Sequence, residues 1–227
     1  MRDRDWDRFG ALVGVVAVAV YLVAIFLTGS PPKPTSTNDE IRLFIIDKRW
    51  AILTQMWLFA LASGLFIWFA GAVRSVFRRA EGDTGHLANV FFGVSVLAQG
   101  VLMVAFVVFA AYTYKAAATA TPDVARFAFD VGALGPAFAG FPLAVAAFIY
   151  AALAFGTGAL ARWTGWVALA AAALQLIGTF GIFVKTGAFS LEGVFGFAPF
   201  ALTMVWVLAV SAAMFRALTP SGSRATV

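Results

Sequence analysis

One acidic residue, Asp130, stands inside a long apolar stretch and is the strongest candidate for chemistry in the sequence. A charged side chain in hydrocarbon costs about 2.5–3.5 kcal/mol on insertion scales, so such a residue usually has a role. Asp130 could carry a proton, bind a cation or act as a catalytic acid. Arg126 lies four residues earlier on the same helical face, however, and the two side chains can form an ion pair at the membrane interface. We favour this structural interpretation.

Uncharged polar residues fall deeper in the apolar runs. Gln99 and Gln175 lie at matched depths near the bilayer midplane, on segments that run in the same direction. Because a buried amide in lipid needs a hydrogen-bonding partner, we expect these two side chains to contact each other or to share a water. Gln55 and Thr179 are further members of this group, and Thr179 shares a helical face with Gln175. The group either joins helices or lines a small polar pocket.

Two prolines, Pro136 and Pro142, interrupt the hydrogen bonding of the apolar stretch that contains Asp130. Broken helices of this kind can line substrate sites, although proline is also common in membrane helices. The candidate pocket therefore consists of Gln55, Gln99, Asp130, Pro136, Pro142, Gln175 and Thr179.

The composition excludes several kinds of site. The chain has no cysteine and a single histidine, His86, which excludes disulfides, iron–sulfur clusters, thiolate nucleophiles and multi-histidine metal sites. With one histidine and five methionines, haem ligation is not expected. We predict no metal and no cofactor. The net charge is +5, but the basic residues lie at the ends of apolar runs, where they meet anionic lipid, so we expect no nucleic-acid partner.

The elements that must position these residues are membrane-spanning helices. Hydrophobic residues make up 62% of the 227 residues and charged residues 12%, and the mean hydropathy is +0.91. At about 20 apolar residues per crossing, the chain has room for six spanning helices and no separate soluble domain. The sequence predicts an all-α, polytopic membrane bundle as one domain over residues 1–227. The spanning helices are expected at about residues 9–29, 51–73, 89–113, 127–155, 163–184 and 194–215.

The flanking segments add three expectations. We expect the first apolar run to be kept as a helix and not removed as a signal peptide. Thr37 and Glu40 form a capping-box pattern that predicts a short interfacial helix at about residues 39–49, lying against the headgroups with Ile41 and Ile45 on its apolar face. The alternative is an early start of the second spanning helix. The tail, Thr219–Val227, is predicted to be disordered.

The orientation follows from the basic residues. Nine of the 16 Lys and Arg residues fall on the side that holds both termini and seven on the other, with a compact group at Arg74, Arg78 and Arg79. Since cytoplasmic segments carry the excess of positive charge, both termini are predicted to be cytoplasmic.

Four loop-proximal segments suggest a family. They read RRAEG at residues 78–82, PDVAR at 122–126, GFP at 140–142 and GALARWTGW at 158–166. With them, the chain resembles the small six-helix membrane proteins of actinobacteria in or near the DUF4386-like group, over most of its length. The resemblance implies an architecture and a location in the bacterial plasma membrane, and it carries no known activity.

Three classes of function are compatible with these patterns. The first is binding of a hydrophobic small molecule, a lipid or a partner subunit within the bundle. The second is a small transporter or channel, formed as an oligomer, and the third is a membrane-embedded enzyme with Asp130 as its acid. We favour the first class, because enzymes need several convergent polar groups and transporters usually show several intramembrane charges or clear repeats. The expected partners are membrane lipids, a hydrophobic ligand and a second copy of the chain or a membrane partner subunit.

Overall fold

The chain folds as an all-helical bundle. The computed structural model describes residues 3–33, 35–82 and 84–218, and within them it contains seven α-helices and two short 3-10 helices but no strand. The predicted disorder of Thr219–Val227 therefore lies outside the described residues. The α-helices are α1 (Asp3–Phe26), α2 (Asn38–Asp47), α3 (Arg49–Glu81), α4 (His86–Tyr114), α5 (Pro122–Thr157), α6 (Arg162–Thr179) and α7 (Val194–Leu218). The 3-10 helices are Ala116–Ala118 and Phe180–Ile182.

Six of the described helices, all except α2, are long and apolar enough to cross a membrane. Their apolar spans are 21 to 36 residues long, with the 3-10 turn Phe180–Ile182 counted as part of the α6 span, and a crossing needs roughly 20. The predicted class, a multi-pass bundle of six spanning helices with one additional short helix, is thus confirmed.

The helices extend beyond the apolar runs that predicted them. The clearest case is α3, which was expected to end at residue 73 but continues to Glu81. Arginine, alanine and glutamate are good helix formers, so nothing in this segment breaks the backbone hydrogen bonding until Gly82. Arg74, Arg78 and Arg79 consequently belong to the helix and not to a loop. By contrast, α6 is shorter than predicted and tightens into a 3-10 turn at Phe180.

The spanning helices form a closed ring. Each of them packs against the next in the order α1, α3, α4, α5, α6, α7, and α7 returns to pack against α1. Large buried side chains fill the end of the ring where α3 meets α4, among them Phe77, Phe91, Tyr150 and Trp206. A second buried cluster, with Phe106 and Phe109, fills part of the opposite end.

The short helix α2 covers that opposite end. Its predicted capping box is present, since Glu40 N donates to Thr37 Oγ1 and Thr37 N donates to the Glu40 carboxylate. Ile41 and Ile45 are fully buried, and they pack with side chains of α3, α4 and α5. The apolar face expected to lie against lipid headgroups therefore packs on protein, because the ends of these helices offer it a larger apolar surface. The helix ends at Asp47, before α3 begins, so it is a separate element.

Both ends of α4 are capped by side chains from elsewhere in the chain. At its C-terminus, Arg49 donates to the carbonyl oxygens of Thr113, at 3.3 Å, and Tyr114, at 2.6 Å. At its N-terminus, the Glu81 carboxylate accepts hydrogen bonds from the amides of Leu87 and Ala88. These contacts satisfy backbone groups that a helix leaves unpaired at its ends. The charges of the two side chains also interact favourably with the helix dipole, with the cation at the C-terminus and the anion at the N-terminus.

Helix α1 approaches α3 closely through the small residues Gly10 and Gly14. A Cβ atom on Gly10 would overlap the side chain of Ala72, and one on Gly14 would lie 2.5 Å from the Phe69 ring and 2.7 Å from Ser211 Oγ. The Gly-x-x-x-Gly pattern therefore serves helix packing, as small residues do in membrane bundles.

We predict that Gly14→Ala destabilises the protein, whereas Gly64→Ala does not. The methyl group at Gly14 must displace Phe69 or Ser211, and such overpacking costs about 1–3 kcal/mol. Gly64 is the matched control, because a Cβ there meets nothing within 4 Å. Unfolding of both variants in detergent should show a lower midpoint for Gly14→Ala alone. Equal midpoints would contradict the close approach of α1 to α3.

Candidate functional site

The ring of helices encloses a cavity of about 450 Å³, to which all six spanning helices contribute. Its wall is mainly apolar and rich in aromatic side chains. The cavity lies between the two buried clusters, and Phe66 is shared between its wall and the larger cluster. The volume falls within the range of roughly 300–1,000 Å³ that is typical of small-molecule sites.

One end of the cavity reaches the protein surface. Pro31, in the connection between α1 and α2, and Glu192, in the connection between α6 and α7, line this end and are exposed. Partial desolvation of the Glu192 carboxyl raises its pKa above the ordinary value, and the positive charge of Lys33 opposes that effect. The mouth of the cavity therefore lies at the α2 end of the bundle and carries one acidic and one basic group.

A chain of three buried polar side chains reaches the cavity wall at its inner end. The Tyr21 hydroxyl on α1 donates to Gln99 Oε1 on α4 at 3.0 Å, and the same hydroxyl lies 2.9 Å from Ser63 Oγ on α3. Ser63, Tyr21 and Gln99 are at most 6% exposed, and Gln99 is 2% exposed. The three residues join three neighbouring helices, and Gln99 and Tyr21 line the cavity.

A second polar group lies on the opposite wall, between α6 and α7. Gln175 Nε2 donates to Thr203 Oγ1 at 2.8 Å and more weakly to the Pro199 carbonyl oxygen at 3.4 Å, and Thr203 Oγ1 itself donates to that carbonyl at 2.8 Å. Gly140 on α5 leaves room for this arrangement, since a Cβ there would lie 3.1 Å from Gln175 Oε1.

Three of the seven residues predicted for the pocket line it, namely Gln99, Gln175 and Pro136. The direct contact expected between the two glutamines is not formed among the described residues, and the alternative of a shared water stays a prediction. Each amide instead bonds to a hydroxyl group, Gln99 on α4 to Tyr21 on α1 and Gln175 on α6 to Thr203 on α7. Helices α6 and α7 are adjacent in the ring, whereas α1 and α4 lie on either side of α3, which contributes Ser63 to the same polar group.

The other predicted pocket residues have structural contacts outside the cavity wall. Gln55 donates to the Ala24 carbonyl oxygen and to Thr28 Oγ1, where α1 ends, and so caps that helix. Thr179 donates to the Leu176 carbonyl oxygen of its own helix at 2.6 Å. Pro142 lies on α5 away from the lining, and α5 continues without a break through both Pro136 and Pro142. The helix predicted at about residues 127–155 thus accommodates both prolines.

Asp130 pairs with Arg126 and stands outside the cavity. Arg126 Nε lies 3.1 Å from Asp130 Oδ2, and the Asp130 side chain is 43% exposed. Arg126 also donates to the Ser36 carbonyl oxygen, so the pair fastens α5 to the segment that leads into α2. This is the ion pair that the i, i+4 spacing indicated, and that we favoured over a chemical role for Asp130.

Sequence reasoning missed Tyr21, Ser63, Thr203 and Glu192. A signal was available for Tyr21, which is the one strong hydrogen-bonding residue in the apolar run of α1. Ser63 and Thr203 gave no signal, because serine and threonine commonly bond to their own helix backbone inside membrane helices. Within the described part of the chain, no three His, Asp or Glu side chains cluster as metal ligands would.

The fold and the cavity define a class of protein: a multi-pass membrane bundle with an internal, mainly apolar cavity that opens at one end. Comparisons with protein-family models, with curated proteins and with solved structures find no match. The similarity to the DUF4386-like group stays a prediction from the sequence.

We predict that Asp130→Asn lowers the stability by no more than about 0.3–0.5 kcal/mol, the value of an exposed i, i+4 pair. Arg126→Gln should cost more, because it also removes the hydrogen bond to Ser36. Thermal unfolding of the two variants in one detergent tests this order. A large loss of stability in Asp130→Asn would show that the carboxylate has a role beyond this pair.

Proposed function

We propose that the protein binds a hydrophobic small molecule or a single lipid chain inside its helix ring. The observation that carries the proposal is the cavity of about 450 Å³ that opens at one end, with a mainly apolar wall and two polar groups on its inner walls. If the cavity were empty, its lining residues would lose van der Waals contacts, and water would find few hydrogen-bonding partners on the mainly apolar wall. An apolar occupant is therefore favoured.

The size of the cavity limits the occupant. At about 30 Å³ for each water-sized group, it holds roughly 15 such groups, as in one acyl chain or about three isoprene units. A helix of about 10 Å diameter would fill the same volume within roughly one turn. The size of the cavity therefore favours a small molecule or a lipid chain as the occupant, and not a helix of a partner subunit.

The alternative functions have less support. A channel or transporter needs a path through the bundle, whereas the end beyond Phe66 is filled by Tyr150, Trp206 and the other large residues of the main buried cluster. An enzyme with Asp130 as acid needs that carboxyl in the cavity, and Asp130 pairs with Arg126 away from it.

The location that we propose is the bacterial plasma membrane, with both termini in the cytoplasm. The basic side chains at the end of α3 support this orientation. The mouth with Glu192 then faces outward, and the ligand would enter from the outer leaflet or from the space beyond it.

We predict that Ala133→Phe abolishes ligand binding by filling the cavity. Ala133 lines the cavity on α5, and the matched control is Ala152→Phe, which adds the same ring at an exposed position of the same helix. Organic extracts of the purified proteins, analysed by mass spectrometry, should contain a stoichiometric apolar compound for the parent and the control. The same compound should be missing from Ala133→Phe.

A second measurement keeps this test independent of folding. Returning the extract to delipidated protein should raise the unfolding temperature of the parent and of Ala152→Phe, since a ligand that binds the native state stabilises it. If Ala133→Phe folds and retains the compound as well as the control does, the cavity is not its site and the proposal fails.

The orientation is testable with single cysteines, because the natural chain has none. Thr35→Cys, between α1 and α2, should react with a membrane-impermeant maleimide in intact cells. Thr84→Cys, between α3 and α4, should react only after the cells are permeabilised. Both positions are exposed, so accessibility to the reagent is matched. The reverse pattern would place the termini and the basic end of α3 outside.

A further inference from the structure

The inner end of the cavity contains an unused hydrogen-bond donor. Gln99 Oε1 accepts the proton of Tyr21, but Gln99 Nε2 has no acceptor among the residues that the structure describes. The side chain is 2% exposed and lines the cavity. The nitrogen faces the cavity volume and not packed protein, so an occupant that fills this volume leaves the N–H group without a partner unless it supplies an acceptor.

In the structure the Gln99 amide places its carbonyl oxygen on the Tyr21 hydroxyl. Tyr21 has one hydroxyl proton, which it donates to Gln99 Oε1. The contact of 2.9 Å between Tyr21 and Ser63 therefore has Ser63 as the donor. The three groups donate in one direction, from Ser63 through Tyr21 to Gln99, and such chains polarise one another. With its oxygen on Tyr21, the Gln99 amide directs its N–H group to the cavity.

The inner part of the cavity also restricts the charge of the ligand. Among the described lining residues, Glu192 at the mouth is the one charged group, and no basic or acidic side chain lines the wall near Gln99. An unpaired ionised group would be strongly disfavoured there. A carboxylate, phosphate or ammonium head group is therefore excluded from the inner end.

We propose that the ligand is a neutral single-chain lipid with a carbonyl head, as in a ketone, an ester or a quinone, that accepts a hydrogen bond from Gln99 Nε2 while its chain extends towards the mouth. This inference rests on the proposed function and specifies the ligand class. It makes Gln99 the residue that binds the head group and Tyr21 a positioning residue that holds the Gln99 amide.

The test compares three probes of one chain length, of about fifteen carbons: a methyl ketone, the corresponding secondary alcohol and the alkane. Each is added at the same mole fraction to delipidated protein in nanodiscs, and the bound fraction is measured by native mass spectrometry against empty nanodiscs. The ketone should bind the parent protein roughly three- to tenfold more tightly than the alkane, which is the effect of one net hydrogen bond. Gln99→Leu should bind the ketone no more tightly than it binds the alkane.

A spectroscopic readout identifies the hydrogen bond itself. With carbon-13 in the ketone carbonyl, its infrared stretch should move to lower frequency in the parent protein than in the empty bilayer. This shift should be absent in Gln99→Leu. In Tyr21→Phe, Gln99 remains but its amide is free to turn, so the preference for the ketone over the alkane should fall while total binding persists.

The outcomes separate this inference from the proposed function. If the parent binds ketone and alkane equally, or if Gln99→Leu keeps the ketone preference, the carbonyl inference is overturned and the apolar site stands. If none of the three probes binds to the parent, and the parent therefore behaves like Ala133→Phe, the proposed function fails together with the carbonyl inference. If Gln99→Leu does not fold, the infrared shift in the parent and its reduction in Tyr21→Phe decide the matter.

Discussion

The bilayer leaves no water for an unpaired backbone group, and the rest of the structure depends on that constraint. Six helices satisfy their own backbone groups along the crossing, but each helix end still has unpaired amides or carbonyls. The chain places long polar side chains at these ends. Arg49 and Glu81 cap the two ends of α4, and Gln55 bonds to the last turn of α1. Because these side chains come from α3, capping the helices also fixes their neighbours in the ring.

The same constraint explains the shape of the interior. Lipid provides no hydrophobic drive to press helices together, so close packing depends on small residues and on polar contacts between helices. Gly10 and Gly14 bring α1 onto α3, and Gly140 brings α5 near α6. Where the large side chains of the main cluster meet, the ring is filled. Between the two clusters the facing residues do not meet, and the cavity results. It is a consequence of where the sequence places its small and large residues around a closed ring.

The amount that could be predicted differs between fold and site for physical reasons. The length of the apolar runs identified the six spanning helices, and the Thr37–Glu40 spacing identified α2, because both signals are local. The position of Asp130 beside Arg126 was predictable for the same reason, since a pair four residues apart needs only the helix itself. The partners of Gln99 and Gln175 depend on how the helices are arranged in the ring, and nothing local encodes that order. Depth alone therefore paired two residues that the ring separates across its cavity.

The polar groups of the interior differ in what they leave unsatisfied. Tyr150 is hydrogen-bonded to Thr164 within the filled end, where aromatic rings surround it, and this contact closes on protein. The chain from Ser63 through Tyr21 ends instead at a donor on the cavity wall. Helix packing alone does not explain an amide at this position. An apolar residue in place of Gln99 would leave no unpaired amide facing the cavity. Under the proposed function, the acceptor that completes this chain belongs to a ligand that is itself mostly apolar, because the rest of the cavity wall is mainly apolar.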